Sequence, residues 1–360
     1  MRIVVKLGTK LLTRKKGLLD EKNVKCLVEE IGEVLDFGWE VIIVSSGAVG
    51  SGCGTVNRNP GDLSLREKQA AASVGQVDLI NIFKKYFHYQ NRTVGQILLT
   101  AQDLARRKSY LNIRNTLFTL LKMDVVPVIN ENDTVAVDEI KFGDNDSLAA
   151  VVASKVDADM LVMMTNVSGF LDEDKKIIKK IDSITSRIEQ LAGGGKSDFS
   201  VGGMKTKLKA ARIVTKMCGV DTYIVNGRKK GNLKKIVAGE NPGTVFTGQK
   251  CGVSQKKRWI AYGLNPSGKV VLDGGAVSAV LNRDASLLPV GVTGLEGKFK
   301  EGNSVSCLNP AGKEIARGLV NYSSGEVKKI MGKTSRQIKS ILGYRDYDEL
   351  IHKDNLVKLL

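Results

Sequence analysis

At 360 residues the chain exceeds a typical single domain, and its 42% hydrophobic residues can fill ordinary cores, while 5% aromatics favours aliphatic packing. A formal charge of +17 would steer anionic substrates, and it leaves nucleic acid open as a partner without identifying one. Five cysteines, an odd set without a C-x-x-C pair, argue against a disulfide framework and a zinc site and fit a reducing cytoplasm. The opening segment is interrupted by Lys6 and Lys10, and no later apolar run approaches membrane-spanning length, so neither a signal sequence nor a membrane partner is expected.

The first strand is expected over 3–7, where a β-branched run ends in Lys6-Leu7-Gly8-Thr9. Gly8 would let a phosphate approach the backbone and Lys6 would neutralise its charge; an ordinary strand-end turn is the simpler explanation for this tetrapeptide taken alone. A helical pattern over 23–37 leads to a second strand at 41–45 and then to Ser45-Ser46-Gly47-Ala48-Val49-Gly50-Ser51-Gly52. That stretch could open a helix with a nest of N–H donors for an anion. It matches neither G-x-G-x-x-G nor G-x-S-x-G, and a tight glycine turn competes as an explanation.

Helical patterns at 65–89 and 113–121 and strands at 94–99 and 125–129 follow. Beyond the last of these, Asn130-Glu131-Asn132-Asp133 and Asp144-Asn145-Asp146-Ser147 gather polar groups at the carboxyl end of a buried strand, where open α/β sheets bind ligands. Capping of a helix expected at 147–154 explains one or two of the second group. It leaves the first group unexplained, and that group is costly to desolvate without partners.

Strands at 160–165 and 222–225 flank a glycine-rich region. The run G-G-G-K-S at 193–197 looks like the end of a Walker A loop, but Gln190 holds the earlier glycine position and a P-loop is rejected. Gly202-Gly203-Met204-Lys205-Thr206-Lys207 runs into a helix expected at 206–218 and is the better phosphate candidate, with simple glycine capping as the alternative. Strand alternating with helix implies an α/β domain over 1–250, its mainly parallel sheet sandwiched by helices. After Asn241-Pro242-Gly243-Thr244 the character changes. A polar, basic linker at 251–265 precedes short strands at 269–272, 291–292, 297–299, 304–307 and 315–320, which read as a small β-rich barrel over 266–350.

Only two histidines exist, His88 and His352, both outside these segments, so histidine acid–base chemistry is not expected. A carboxylate acceptor is already ionised at neutral pH and attacks phosphorus without surrendering a proton. Such a reaction needs positioning and charge neutralisation, which glycines, lysines and Mg²⁺ supply.

Taken in order, K-L-G-T, V-S-S-G-A, I-N-E-N-D-T-V, F-G-D-N-D-S, M-T-N-V-S-G and V-G-G-M-K-T-K resemble the amino acid kinase family, most closely its members that phosphorylate glutamate. The tail segments V-L-D-G-G-A-V-S-A-V-L and S-L-L-P-V-G-V resemble a PUA domain, so the resemblance spans nearly the whole chain. It implies ATP-dependent phosphorylation of the side-chain carboxylate of L-glutamate to γ-glutamyl phosphate, the first step toward proline. Proline as a feedback inhibitor and a homo-oligomer would be expected too.

By motif, Lys6 and Lys207 would bind the transferring phosphoryl group, Asp146 would orient them, and Gly8 and Gly47 would offer backbone N–H groups. Ser46, Asp133 and Asn145 would hold glutamate, the Asp133 carboxylate meeting its α-ammonium group. Thr165, Asn166, Val201, Gly202, Gly203, Met204, Lys205, Thr206 and Lys207 would line the nucleotide site. No protein ligand set for a metal is evident, so Mg²⁺ would ride on the ATP phosphates. Asn166 stands where the family usually has Asp and Val201 where it usually has Thr, and both bear on nucleotide rather than glutamate. The competing readings are a kinase of this fold acting on aspartate or N-acetylglutamate, and an RNA-binding protein using the PUA-like domain.

Overall fold

The computed structural model describes residues 1–105, 107–136, 145–193, 201–248, 257, 260, 261, 264 and 266–359. Asp144, the glycine run at 194–197 and the basic linker residues 256 and 258 lie outside them. Two units are distinguished, Met1–Cys251 and Gly252–Leu360.

In the first unit, eight strands form one sheet: β1 (Arg2–Leu7), β2 (Glu40–Ser45), β3 (Thr93–Leu99), β4 (Val125–Glu131), β5 (Met160–Thr165), β6 (Lys180–Ile181), β7 (Asp221–Asn226) and β8 (Thr244–Phe246). Their spatial order is β3-β4-β2-β1-β5-β7-β8-β6. Every pair from β3 to β7 is parallel, β8 runs antiparallel to β7, and β6 pairs parallel with β8. The short β6 and β8 fall below what periodicity can detect, and they were not among the expected strands.

Between the strands run α1 (Thr9–Leu12), α2 (Glu21–Asp36), α3 (Ala48–Thr55), α4 (Leu65–His88), α5 (Ala101–Ala105), α6 (Arg107–Lys122), α7 (Asn145–Lys155), α8 (Ser186–Gly193), α9 (Val201–Cys218) and α10 (Asn232–Val237). Strand β1 is covered on both faces, which is why its apolar run is continuous rather than alternating. Ile3, Val5 and Leu7 join Val24, Leu27 and Ile31 of α2 and Leu79 and Phe83 of α4 in one core. Val4 joins Leu148 and Val152 of α7 and Ala210 and Val214 of α9 in the other. Side chains alternate along a strand, so Lys6 shares the face of Val4 and points toward α7 and α9.

Helix α7 is buried from Asp146 to Lys155, and its small residues Ala149, Ala150 and Ala153 let it lie close to the sheet. Helices α3 and α4 also approach closely. A Cβ on Gly52 would sit 1.7 Å from the Ala71 carbonyl oxygen, so this glycine of the S-S-G-A-V-G-S-G stretch serves helix packing rather than an anion.

The second unit carries a five-stranded sheet of β9 (Gly268–Leu272), β10 (Val292–Gly297), β11 (Ser304–Leu308), β12 (Glu314–Leu319) and β13 (Leu356–Lys358) in the order β10-β9-β11-β12-β13. All its pairs are antiparallel except β9 with β11. Residues 297–299, expected as a separate strand, do not form one: β10 ends at Gly297, whose positive φ of 88° turns the chain. The sheet also takes in β13, beyond residue 350. Val270, Leu272, Val305, Cys307 and Ile315 pack with Tyr322, Val327 and Ile330 to fill its own core.

Candidate functional site

Three charged side chains meet above the carboxyl end of β1. Lys6 Nζ lies 2.6 Å from Asp146 Oδ1 and Lys207 Nζ 3.0 Å from Asp146 Oδ2. Thr206 Oγ1 donates to the same Oδ2 at 2.9 Å, and Lys207 also donates to the Gly203 carbonyl at 3.1 Å. The Lys6 side chain is 8% exposed, that of Asp146 3% and that of Lys207 11%. Burial pushes the Asp146 carboxyl up, but the two ammonium groups and their hydrogen bonds outweigh it and hold the acid below its usual range. Two positive charges thus face one negative charge in a nearly dry place, where electrostatic interactions are strong. An anion completes such a set.

Asn145, one residue earlier on α7, reaches the other way. Its Nδ2 lies 2.8 Å from the Ser45 carbonyl, 3.0 Å from Ser46 Oγ and 3.0 Å from Asn130 Oδ1, tying the helix start to the ends of β2 and β4. Its Oδ1 is buried and has no hydrogen-bond partner among the described residues, an acceptor suited to an ammonium group. Asn130 is held in turn, its Nδ2 donating to Gln76 Oε1 of α4 at 2.7 Å. Asp133 lines a cavity of about 280 Å³ with Glu131, Asn132, Gln76, Ser73 and Ala48, two carboxylates in a mostly apolar hollow.

A second cavity, of about 210 Å³, collects Lys6, Gly8, Thr165, Asn166, Gly203, Met204 and Lys207 with Thr9, Lys10, Leu11 and Val167. Most residues assigned to nucleotide and phosphoryl binding therefore come together. Thr165 Oγ1 and Asn166 Oδ1 lie 3.3 Å apart at the end of β5. Gly47 opens α3 with φ of 100°, a conformation that suits glycine and lets the chain pass from β2 into the helix beside Ser46.

Two assigned residues sit differently from expectation. The Gly8 N–H, expected to face a phosphate oxygen, donates to the Met164 carbonyl at 3.2 Å as an extension of the sheet. Lys205 lines another hollow with Glu189, Leu208, Lys209 and Arg212, because on a helix it points away from Met204 and Lys207. Val201 and Gly202 form the first residues of α9.

Gln76 and the α1 residues Thr9 to Leu11 were not anticipated. Gln76 could have been found from its position, a polar residue four after the buried Ala72 on α4. For α1 the sequence carried no periodic signal, since a single turn is too short to show one.

Residues 1–226 match the model of the amino acid kinase family, and residues 268–342 match that of the PUA domain. The chain belongs to the amino acid kinase family. It is 46% identical to the glutamate 5-kinase of Caldanaerobacter subterraneus subsp. tengcongensis, over 100% of this chain and 98% of that one. It is 43% identical to the glutamate 5-kinase of Moorella thermoacetica, over 99% and 96% of the two chains. Among solved structures, the carbamate kinase from Giardia lamblia bound to AMP-PNP superposes with a TM-score of 0.51 at 19% identity, covering 69% of this chain and 98% of that chain, which supports the fold alone.

Proposed function

We propose that the chain transfers the γ-phosphoryl group of ATP to the side-chain carboxylate of L-glutamate, giving γ-glutamyl phosphate and ADP, the first step of proline biosynthesis. The observation that carries this reading is the pair Asn145 and Asp146, neighbours at one helix start, of which one is tied to Ser46 and the other to the two lysines. A donor on the lysine side and an acceptor on the asparagine side would then meet across a single turn of helix.

On this reading Asp133 and the free Asn145 Oδ1 hold the α-ammonium of glutamate, and Ser46 orients its other end. The γ-carboxylate attacks phosphorus as an anion, so no base is required. Lys6 and Lys207 take the charge that spreads over the transferring phosphoryl oxygens, and Asp146 keeps both ammonium groups aimed rather than supplying a proton route. Thr165, Asn166, Gly203, Met204 and Lys207 support the nucleotide, with Val201 and Gly202 leading into them at the start of α9, and Gly47 lets the backbone of the α3 start approach a phosphate. Asp146 is engaged by two lysines, so Mg²⁺ fits best as a passenger on ATP, where it screens the phosphate charge. Feedback by proline and a homo-oligomeric state are part of the same proposal, carried by the relationship rather than by a contact.

The test is ADP release by purified protein with ATP and Mg²⁺ and each of L-glutamate, aspartate and N-acetylglutamate, with hydroxylamine present to trap an acyl phosphate. Glutamate-dependent ADP release with hydroxamate formation is expected. Turnover with another acid alone would overturn the substrate assignment, and no turnover with any would overturn the kinase assignment.

A further inference from the structure

One wall of the candidate nucleotide cavity is α1, a single helical turn. One turn fixes several backbone dihedrals for a single hydrogen bond and does not hold itself. Each of its carbonyls nevertheless has a donor. Thr9 O accepts from the Thr13 N–H at 2.9 Å, Lys10 O from Arg228 Nη2 at 2.8 Å, Leu11 O from Asn23 Nδ2 at 2.8 Å, and Leu12 O from the Asp20 N–H at 2.7 Å.

Arg228 also donates through Nη1 to Asp20 Oδ2 at 3.0 Å, while Asp20 Oδ1 accepts from Arg14 Nε at 3.1 Å and from the Asn23 N–H. Burial works to raise the Asp20 carboxyl, and the bonds from Arg228, Arg14 and Asn23 overcome it, so the acid stays ionised and the clamp stays charged. The turn after β7 presses on the same wall. The Gly227 N–H donates to the Thr165 carbonyl at 2.8 Å, and a Cβ on Gly227 would lie 2.4 Å from Leu11 Cδ1.

We propose that Arg228, through the Lys10 carbonyl and Asp20, is a positioning residue for the nucleotide: it clamps α1 so that Gly8, Thr9 and Lys10 present a fixed wall to the polyphosphate, and it touches neither reacting group. This rests on the reading of that cavity as the ATP site. A planar guanidinium spans the Lys10 carbonyl and the Asp20 carboxylate with two nitrogens held in a rigid fork, a separation that the single nitrogen of an ammonium does not bridge in the same way.

Three variants separate the roles. Arg228→Met keeps the stem and removes the fork, Arg228→Lys keeps the charge and removes the fork, and Asp20→Asn keeps a cap acceptor for α2 while removing the charge. Each is assayed with ATP and glutamate varied separately, by calorimetric binding of AMP-PNP, and by thermal unfolding. Both Arg228 variants are expected to raise the KM for ATP and the Kd for AMP-PNP by about fivefold or more, with the KM for glutamate held within about twofold and Tm close to wild type. Asp20→Asn should shift in the same direction by less.

Wild-type constants for ATP in Arg228→Met, an equal rise in both KM values with a lowered Tm, or full recovery in Arg228→Lys would each overturn the inference. Wild-type protein that binds no AMP-PNP would overturn the ATP reading and the inference together, whereas wild-type binding with unaffected Arg228 variants would overturn the inference alone.

Discussion

In the first unit Lys6, Lys207 and Asp146 meet almost out of reach of water with two positive charges against one negative. In the second unit Glu314 accepts from Arg317 Nε at 2.7 Å, from Arg317 Nη2 at 3.2 Å and from Ser306 Oγ at 2.5 Å, one charge of each sign. Burial pushes the Glu314 carboxyl up and its Arg317 and Ser306 partners bring it below its usual range, so the two acids resemble each other in direction. They differ in balance and in water. The side chains of Arg317 and Glu314 are 23% and 30% exposed, and Arg317 uses its remaining Nη1 on the Ala261 carbonyl at 2.9 Å. Nothing in that cluster asks for a further ligand. A surplus ammonium group beside a cavity does, because a buried charge without a partner is costly and a phosphate oxygen removes the cost.

The most drastic way to break this contrast is Lys207→Ala. It is expected to lower kcat by at least about a thousandfold, since on the proposed reading it removes one of the two cations that meet the transferring phosphoryl group. The fold should survive, because Asp146 keeps Lys6 at 2.6 Å and Thr206 at 2.9 Å. Turnover assayed beside circular dichroism and Tm checks both halves, and retained catalysis in a folded variant would refute the role of the surplus charge.

Lys155 sharpens the comparison from the other end of α7. It is 5% exposed, its Nζ has no hydrogen-bond partner among the described residues, and it lies 4.4 Å from the centre of the Tyr110 ring. Burial pushes this amine down to about 7. If charge imbalance alone marked a site, Lys155 would be one; the distinction is that no acid among the described residues aims it and that it sits a whole helix away from Asp146. Lys155→Met is therefore expected to leave turnover intact and to stabilise the fold by about 1–4 kcal/mol at neutral pH and below.

The sign follows from proton linkage. The unfolded lysine keeps its proton up to about 10.4 and the folded one releases it near 7, so wild-type stability rises with pH across that interval and the full burden falls below it. The advantage of Met should shrink as pH rises toward 10. Urea unfolding at pH 6, 8 and 10 measures this, and a gain that does not vary with pH would show that Lys155 keeps its proton in the folded chain as in the unfolded one, so that burial does not lower it.

Much of the first unit was legible because parallel strands covered on both faces leave unbroken β-branched runs: the run at 3–7 lies inside β1, and 160–165 coincides with β5. The motifs behind the family resemblance pointed to Lys6, Asp146, Thr165, Gly203 and Lys207, and these residues lie near one another. Lys205 lines a different hollow because the helix expected from residue 206 already begins at Val201, and neighbouring residues on a helix face different directions. Gly8 was read by its glycine alone, without the sheet bond to Met164 that only the β1 and β5 pairing reveals. Arg228 lies 208 positions from Asp20, and no local pattern marks such a pair. In the second unit, glycine turns identified β9, β11 and β12, but β13 has three residues and depends wholly on its pairing with β12.

The smallest expected effect is at Arg317. Arg317→Met should cost about 1 kcal/mol of stability and leave kcat and both KM values unchanged. Water reaches both side chains, so the abandoned Glu314 carboxylate can be solvated and still accepts from Ser306. Its companion Glu314→Gln, measured by urea unfolding alone and together with Arg317→Met, closes a double-mutant cycle whose coupling should stay near 1 kcal/mol. A coupling several times larger would mean that this pair is as dry as the Asp146 cluster. Burial and pairing would then describe both units equally, and only the missing negative charge would separate the proposed catalytic cluster from a structural one.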